Sequence, residues 1–345
     1  TDPILSRFAD RLAAAAPGHR WRFLAEAPPA ARAAGIAAGE VIVCSRLDAA
    51  EARSARAARL VQVTGAGLDR VAVDALPAGA AVANTFHHAR PIAEHVLMSV
   101  LALSRRLLPA DRELRRGTWR TIATDPLVPL HPTLDTMTLG VVGLGSIGLE
   151  TVRLAEAVGM STAAVRHRPD APAPEGVHPR WIGGTADLPR LLAESDVVVV
   201  TVPLSAATEG MIGAAELAAM RPGALLVNVA RGPVVDQAAL YRALTEGTIA
   251  GAAIDVWWGA PAPGRTPPAD LPFADLDNVL LTPHHSGHAR STFERRADDI
   301  ADNVVRLGRG EELRNVVRRG TPAGSSQQQA GHEQQGAAGG GGQRQ

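Results

Sequence analysis

Short runs of β-branched and other apolar residues alternate with longer Ala/Leu-rich stretches along nearly the whole chain. Continuous apolar runs, such as the valines at 197–200, are typical of parallel strands that are buried on both faces. Strands separated by helical patterns favour βαβ units and hence a doubly wound α/β sheet. The predicted strands are 41–45, 60–64, 81–84, 139–144, 162–165, 197–202, 224–229, 252–256 and 279–282, and the predicted helices include 92–108, 147–158, 237–245 and 290–307.

This alternation is interrupted between residues 107 and 138. Charged residues cluster at 111–116, and a loop punctuated by Pro126, Pro129 and Pro132 follows before a new strand, glycine loop and helix begin. We therefore expect a domain boundary near residue 110. Residues 320–345 are rich in Gly, Gln and Ser without periodicity, which is typical of a disordered tail.

The composition excludes several chemistries. The chain has 345 residues, of which 46% are hydrophobic, so it can bury a large core and form two domains. All 35 fixed cations are arginines, which excludes a Schiff-base lysine and the lysine of a P-loop NTPase. Acidic residues are equally numerous, so charge gives no case for a nucleic-acid or membrane partner. Cys44 is the single cysteine, which excludes an intrachain disulfide, and we predict no bound metal.

Neither the start of the chain nor its most apolar stretch is predicted to enter a membrane. The first residues lack a basic region followed by an apolar run, and the stretch 92–108 contains Glu94, His95, Arg105 and Arg106. We predict a soluble, cytoplasmic protein.

A GxGxxG sequence at 143–148 lies directly after a predicted strand and opens a predicted helix. In that context Gly143 permits a tight turn, Gly145 lets the backbone approach a pyrophosphate, and Gly148 lets helix and strand pack closely. The helix N-terminus, at Ser146 and Ile147, supplies N–H donors to phosphate groups. The sequence therefore predicts a dinucleotide-binding site.

The end of the next predicted strand indicates which dinucleotide is bound. NAD-preferring sites carry an acid there, but no Asp or Glu lies between Glu156 and Asp170. Arg166 and Arg168 stand there instead, and guanidinium groups suit a 2′-phosphate. NADP is therefore favoured over NAD. The alternative is that both arginines belong to a solvated loop and that NAD binds through other contacts.

Three candidate functional residues lie at or just beyond the carboxyl ends of predicted strands further along the chain. They are Arg231 in the Asn-Val-Ala-Arg-Gly sequence at 228–232, Asp255 in Ala-Ile-Asp-Val at 253–256, and His284 in Thr-Pro-His at 282–284. Because the carboxyl ends of parallel strands meet at one crevice, we expect these side chains to converge beside a nicotinamide. Four other histidines are predicted to have no part in the chemistry: His87, His95, His285 and His288.

Together with Pro-Leu-Ser-Ala-Ala-Thr at 203–208, these motifs resemble, in order and spacing, those of the D-isomer-specific 2-hydroxyacid dehydrogenase family. The resemblance covers about residues 41–317. It implies a Rossmann nucleotide-binding domain at 109–287, inserted into a smaller flavodoxin-like substrate domain formed by 1–108 and 288–319. It also implies an active site in the cleft between the domains, and a homodimer.

The same resemblance implies roles for individual residues. Arg231 would bind the carboxylate of a small 2-oxo acid, and His284 would donate a proton as the carbonyl is reduced, as in glyoxylate and hydroxypyruvate reductases. The backbone at Ala66 and Gly67 would hold the substrate carboxylate, with His88 as a further substrate contact. The implied cofactor contacts beyond the glycine loop and Arg166/Arg168 are Val202, Pro203, Thr208, Val229, Ala230, Asp255 and Gly287.

One position departs from the family's pattern. Most members carry a Glu five residues after the Asp, where it keeps the catalytic histidine protonated, but this chain has Ala260. We favour a 2-oxo acid reductase whose reduction weakens as pH rises. A formate dehydrogenase-like enzyme needs no proton transfer, and Trp257, the Pro-Ala-Pro sequence at 261–263 and the segment 284–287 suggest it. A non-enzymatic dinucleotide-sensing protein, loosely similar to the C-terminal-binding-protein corepressors, is the third alternative.

Overall fold

The computed structural model describes residues 1–172, 174–260 and 267–320. The helices are α1 (Pro3–Ser6), α2 (Ala9–Ala15), α3 (Pro29–Ala38), α4 (Ala49–Ser54), α5 (Ala89–Ser104), α6 (Leu107–Arg115), α7 (Ser146–Ala157), α8 (Leu188–Glu194), α9 (Ala214–Ala219), α10 (Gln237–Thr245) and α11 (Arg290–Arg309). The strands are β1 (Val41–Cys44), β2 (Leu60–Val63), β3 (Ala81–Ala83), β4 (Thr138–Val142), β5 (Ser161–Val165), β6 (Ile182–Gly183), β7 (Val197–Val200), β8 (Leu225–Asn228), β9 (Gly251–Ile254), β10 (Val279–Leu281) and β11 (Val316–Arg318).

The described residues divide into two compact units, one formed by 1–86 with 293–320 and the other by the described residues between 87 and 292. In the first unit a four-stranded sheet has the order β1-β2-β3-β11. Strands β1 to β3 are parallel, and β11 pairs antiparallel with β3. Apolar side chains cover both faces of this sheet. One cluster includes Ile36, Val61 and Val82, and another joins Leu12 of α2 to Ile300 of α11.

The second unit contains a seven-stranded parallel sheet of order β10-β9-β8-β7-β4-β5-β6. The four valines of β7 are buried, and their side chains enter the apolar clusters on the two faces of the sheet in alternation. Strand β4 comes first in this unit and lies between β7 and β5, so the chain reverses direction across the sheet there. Ligands bind at such a reversal in open α/β sheets. The predicted doubly wound Rossmann sheet is confirmed.

Helix α5 belongs to the second unit, although the family resemblance places residues up to 108 in the substrate domain. Its apolar side is buried with the core of the seven-stranded sheet through Ile92, Val96 and Val100. The helix also contacts α7, β8 and β9. The division therefore lies after residue 86 instead of residue 108. At the other end it lies after Thr292 instead of residue 287, and the Thr292 hydroxyl donates to the His87 carbonyl at 3.1 Å.

The predicted helix 92–108 is two helices in the structure. Arg106 adopts a left-handed backbone conformation with φ of 49° and separates α5 from α6. Pro109 lies in the first turn of α6, where its missing N–H costs no hydrogen bond, whereas it would break a helix continuing from α5.

Each of the predicted strands is present, with ends that differ by at most two residues. Strands β6 and β11 were not predicted, because two or three residues are too few to give a pattern. The predicted tail, apart from Gly320, and the Pro-Ala-Pro sequence at 261–263 lie outside the described residues. Within those residues, no helix has the length and apolar character of a membrane span.

Candidate functional site

The glycine-rich loop between β4 and α7 has the geometry of a dinucleotide cradle. Gly143 has φ of 101°, a conformation that suits glycine, and a Cβ there would lie 2.8 Å from Cγ1 of Val202. A Cβ on Gly148 would overlap the carbonyl oxygen of Gly143, so this residue must be small where the helix meets the strand. A Cβ on Gly145 would meet open space. The loop is therefore closed on its protein side and open beside Gly145 and the exposed Ser146, where a pyrophosphate would reach the helix N-terminus.

The segment after β7 lies beside this loop. The hydroxyl of Thr201 donates to the Val142 carbonyl at 3.2 Å and also bonds to that of Gly143. Further along, Thr208 holds a compact turn, because its hydroxyl donates to the Pro203 carbonyl at 2.6 Å and accepts from the Ser205 N–H at 2.9 Å. Val202 thus touches the glycine loop, and Pro203 and Thr208 belong to the turn that follows.

The two arginines after β5 have different surroundings. Arg166 turns its guanidinium back onto its own loop and donates to the carbonyls of Pro169, Ala171 and Pro172. Its Nε is buried and has no hydrogen-bond partner among the described residues. Arg168 is exposed. Arg166 therefore shapes the loop, and the side chain of Arg168 is accessible.

Arg231 follows β8 and lies in a turn that Asn228 closes. The side-chain oxygen of Asn228 accepts from the Ala230 N–H at 3.1 Å, and its amide group donates to the Arg231 carbonyl at 3.1 Å. The guanidinium of Arg231 donates to the Ala230 carbonyl at 2.8 Å. Val229 and Ala230 are buried, so Arg231 is the first partly exposed residue after the strand.

Asp255 follows β9 and is 1% exposed. Its Oδ1 accepts from the hydroxyl of Thr282 at 2.7 Å and from the His285 N–H at 2.9 Å, and its Oδ2 accepts from the Ser286 N–H at 3.1 Å. Burial acts to raise the pKa of this carboxyl, but hydrogen bonds from Ser286, Thr282 and His285 outweigh it and lower the pKa below its ordinary value. The carboxylate therefore stays ionised at neutral pH.

His284 lies in the loop after β10 that Asp255 holds. It has φ of 56°, a left-handed conformation that is uncommon for residues other than glycine, and its side chain is exposed. Gly287, three residues later, lies close to the start of α5, because a Cβ there would be 3.4 Å from Cβ of His88. The structure thus brings the predicted residues His88 and Gly287 together.

Of two histidines that were predicted to be incidental, His285 belongs to this loop and His95 packs against it. The rings of His95 and His285 meet edge to face with centroids 5.7 Å apart, and Nε2 of His95 lies 3.4 Å from the hydroxyl of Thr282. Burial lowers the pKa of His95, and the charge of Asp255 opposes that effect. His95 is therefore neutral at pH 7.

The loop that contains Ala66 and Gly67 lies in the first unit, after β2. Asn84 holds it by donating to the Ala66 carbonyl at 2.9 Å, and the Thr85 N–H donates to the Gly65 carbonyl at 3.2 Å. The side-chain oxygen of Asn84 is buried without a partner among the described residues. A cavity of about 320 Å³ in this unit is lined by other residues, including Trp21, Val43 and Arg59, and by none of the predicted site residues.

Two tryptophans fix the turn that leads to position 260. The indole N–H of Trp257 donates to the Thr282 carbonyl at 3.0 Å, and that of Trp258 donates to the Val235 carbonyl at 2.7 Å. Ala260 is exposed. Asp270, a nearby acid, accepts from the Gln237 side-chain amide at 3.3 Å.

The predicted residues of the second unit follow neighbouring strands. Arg231, Asp255 and His284 come after β8, β9 and β10, which are adjacent and parallel. Three residues that fix the local geometry, Asn84, Asn228 and Thr282, were not predicted from the sequence. Their only signal was a polar residue at the end of a buried strand.

Comparisons with known proteins identify the family of this chain. The model of the "D-isomer specific 2-hydroxyacid dehydrogenase, NAD binding domain" matches residues 97–286. A glyoxylate reductase of Korarchaeum cryptofilum is 37% identical over 79% of this chain and 80% of its own length. A glycerate dehydrogenase of Methylorubrum extorquens is 36% identical over 75% of this chain and 78% of its own length.

A solved structure is also similar. A D-isomer specific 2-hydroxyacid dehydrogenase from Xanthobacter autotrophicus, in complex with NADPH and MES, superimposes with a TM-score of 0.69 at 29% identity, over 90% of this chain and 94% of that one. The matched family model, the two relatives and the strand-end residues lead to the same assignment. The chain belongs to the D-isomer-specific 2-hydroxyacid dehydrogenase family, whose members transfer hydride between a nicotinamide dinucleotide and 2-oxo or 2-hydroxy acids.

Proposed function

We propose that this chain reduces a small 2-oxo acid, of the class of glyoxylate and hydroxypyruvate, to the 2-hydroxy acid. The observation that carries the proposal is that Arg231, Asp255 and His284 follow three adjacent parallel strands of one sheet. The names of the relatives, glyoxylate reductase and glycerate dehydrogenase, support a small hydroxy-acid substrate.

In this proposal, Arg231 binds the substrate and His284 transfers a proton. When bound, the reduced nicotinamide supplies the hydride. Arg231 binds the carboxylate of the substrate through its planar guanidinium and stabilises the negative charge that develops on the carbonyl oxygen. His284 donates a proton to that oxygen during reduction and accepts it back during oxidation.

Ala260 gives the reaction its expected pH dependence. Relatives that carry a carboxylate at this position use it to favour the protonated imidazole, and the exposed methyl group of Ala260 supplies no such charge. We therefore expect reduction by this chain to weaken at a lower pH than reduction by relatives that carry this carboxylate.

The cofactor preference is for NADP. Support comes from the absence of an acid at the end of β5, from the exposed guanidinium of Arg168, and from the solved relative that binds NADPH. Arg166 contributes by holding the loop from which Arg168 projects.

The chain works as a homodimer. Support comes from an exposed apolar segment, residues 107–130, whose large side chains lie in solvent in the single chain. These are Leu107, Leu108, Leu114, Trp119, Ile122, Leu127 and Leu130. Several large apolar side chains exposed within one surface segment are typical of an interaction site.

Initial-rate assays test the function. The full chain is incubated with glyoxylate, hydroxypyruvate or pyruvate and NADPH or NADH, and separately with formate and the oxidised cofactors. Turnover of a 2-oxo acid is expected. Turnover of formate alone would favour the formate dehydrogenase alternative, and cofactor binding without any turnover would favour the dinucleotide-sensing alternative.

The variant Arg231→Ala tests the carboxylate clamp. It is expected to lower kcat/KM by about a thousandfold or more and to change the Kd of the cofactor by less than about threefold. Arg242→Ala, which removes an exposed arginine on α10, is the matched control and should leave both unchanged.

A further inference from the structure

We propose that Asp255 is the positioning residue for His284: its carboxylate clamps the loop 282–286 and holds His284 in the left-handed backbone conformation from which its imidazole serves the reaction. This inference rests on the proposed function, in which His284 donates the proton. It adds a role for Asp255 that is distinct from the cofactor contact that the family resemblance implies.

The hydrogen bonds of Asp255 assign the carboxylate to this loop. A carboxylate offers about four lone-pair sites. The hydroxyl of Thr282 and the N–H of His285 bond to Oδ1, and the N–H of Ser286 bonds to Oδ2. The hydroxyl of Ser286 is a further donor to the carboxylate. The donors therefore come from both sides of His284 and match the acceptor sites in number.

The residues that flank His284 are fixed at both ends. The Thr282 N–H donates to the Ile254 carbonyl at 3.0 Å, and the Thr282 carbonyl accepts from the Trp257 indole at 3.0 Å. On the other side, the N–H groups of His285 and Ser286 are held by Asp255, and the His285 carbonyl accepts from the His288 N–H at 2.8 Å. The backbone between these anchors is short, so its conformation is dictated by them.

The left-handed conformation of His284 follows from this restraint. A φ near 56° is uncommon for a residue other than glycine and persists where the surrounding structure stabilises it. Two consecutive N–H groups that point at one carboxylate require the chain to turn sharply just before them, and His284 occupies that position. Release of the clamp would let His284 relax to the common negative φ region and would swing its exposed imidazole away.

The variant Asp255→Asn tests the clamp, because its amide nitrogen would face an N–H donor of the loop where an acceptor is needed. We expect amide hydrogen exchange in a peptide spanning 279–290 to accelerate by about tenfold or more. We also expect kcat to fall by about tenfold or more, while KM for the 2-oxo acid and Kd for NADPH change by less than about threefold. A change confined to kcat is the signature of a misplaced proton donor.

The matched control is Asp236→Asn, which removes a carboxylate that caps α10 through the Ala239 N–H at 2.7 Å. It should leave both exchange at 279–290 and kcat unchanged. If Asp255→Asn fails to fold, Thr282→Val removes one donor to Oδ1 and is expected to change exchange and kcat in the same direction by a smaller factor.

Two results would overturn the proposal. Unchanged exchange in Asp255→Asn means that the carboxylate does not hold the loop. A Kd for NADPH raised by about tenfold with kcat preserved means that Asp255 acts on the cofactor. If the wild-type chain reduces no 2-oxo acid, the proposed function fails, and exchange at 279–290 alone decides whether Asp255 clamps the loop.

Discussion

At the scale of single residues, the two arginines of one short loop, Arg166 and Arg168, have different surroundings. Arg166 is occupied by carbonyls of its own loop, whereas Arg168 is exposed. We predict that Arg168→Asp raises KM for NADPH by about tenfold, because a carboxylate repels the 2′-phosphate, and leaves KM for NADH unchanged or lower. Initial rates with each cofactor measure both values.

The control for this prediction is Arg242→Asp, which makes the same charge change at an exposed position on α10. It should not alter either KM. If Arg168→Asp raised KM for NADPH and for NADH equally, the Arg168 side chain would support the loop and would not bind the 2′-phosphate.

His95 links the stability of the fold to pH. Burial lowers its pKa, so the unfolded chain binds a proton more readily than the folded chain. The associated stability is present above the unfolded value of about 6.5 and is lost as pH falls toward the lower folded value. We predict that the free energy of unfolding, measured by urea titration, falls less steeply between about pH 7 and pH 5 in His95→Gln than in the wild type.

The interpretation of that slope depends on the neighbours of His95, which are Asp255, Thr282 and His285. His167→Gln removes an exposed histidine and serves as the control, with the slope of the wild type expected. Identical slopes in His95→Gln and the wild type would contradict the prediction.

The sequence predicts Arg231 and His284 as site residues, because their side chains have distinctive chemistry and each follows a recognisable strand. It did not identify residues that act through geometry. Thr282 and Asn228 are ordinary polar residues until their partners, Asp255 and the 228–231 turn, are known. Hydrogen bonds between segments distant in the chain leave no local pattern.

At the scale of elements, the contact between β4 and α7 depends on the small size of Gly148. A Cβ there would overlap the Gly143 carbonyl, so Gly148→Ala forces the helix and strand apart. We predict a loss of about 1–3 kcal/mol in the free energy of unfolding, together with weaker cofactor binding. Thermal unfolding and cofactor titration measure the two effects.

The comparison variant is Gly145→Ala, whose Cβ meets open space. It should retain the stability of the wild type and weaken only cofactor binding, because a methyl group would stand where the pyrophosphate approaches. Equal stability in both variants would show that the helix tolerates the extra carbon at position 148.

The strands of the sheet were predictable because each is marked by a local run of apolar residues, as in the valines of β7. The division of the chain was harder to predict, because Ile92 and Val96 are compatible with burial against either sheet. Only tertiary packing assigns α5 to the second unit.

At the scale of the whole molecule, the segment 107–130 exposes large apolar side chains to solvent in the single chain. Leu127 is 87% exposed and Leu130 is 82% exposed. Leucine side chains in solvent cost stability that burial against a second chain would recover. A second copy of the chain is the partner proposed above. A dimer interface formed by this segment would bury its apolar side chains in both copies.

We predict that the wild-type chain has a native mass of twice 35.9 kDa in light scattering and that the double variant Leu127→Asp, Leu130→Asp has the mass of one chain. Two charges at the centre of an apolar interface must be desolvated without partners, which disfavours association, whereas in the monomer they remain in water. Val317→Asp, at an exposed apolar residue of β11, should stay dimeric. A double variant that remains dimeric would place the interface elsewhere on the chain.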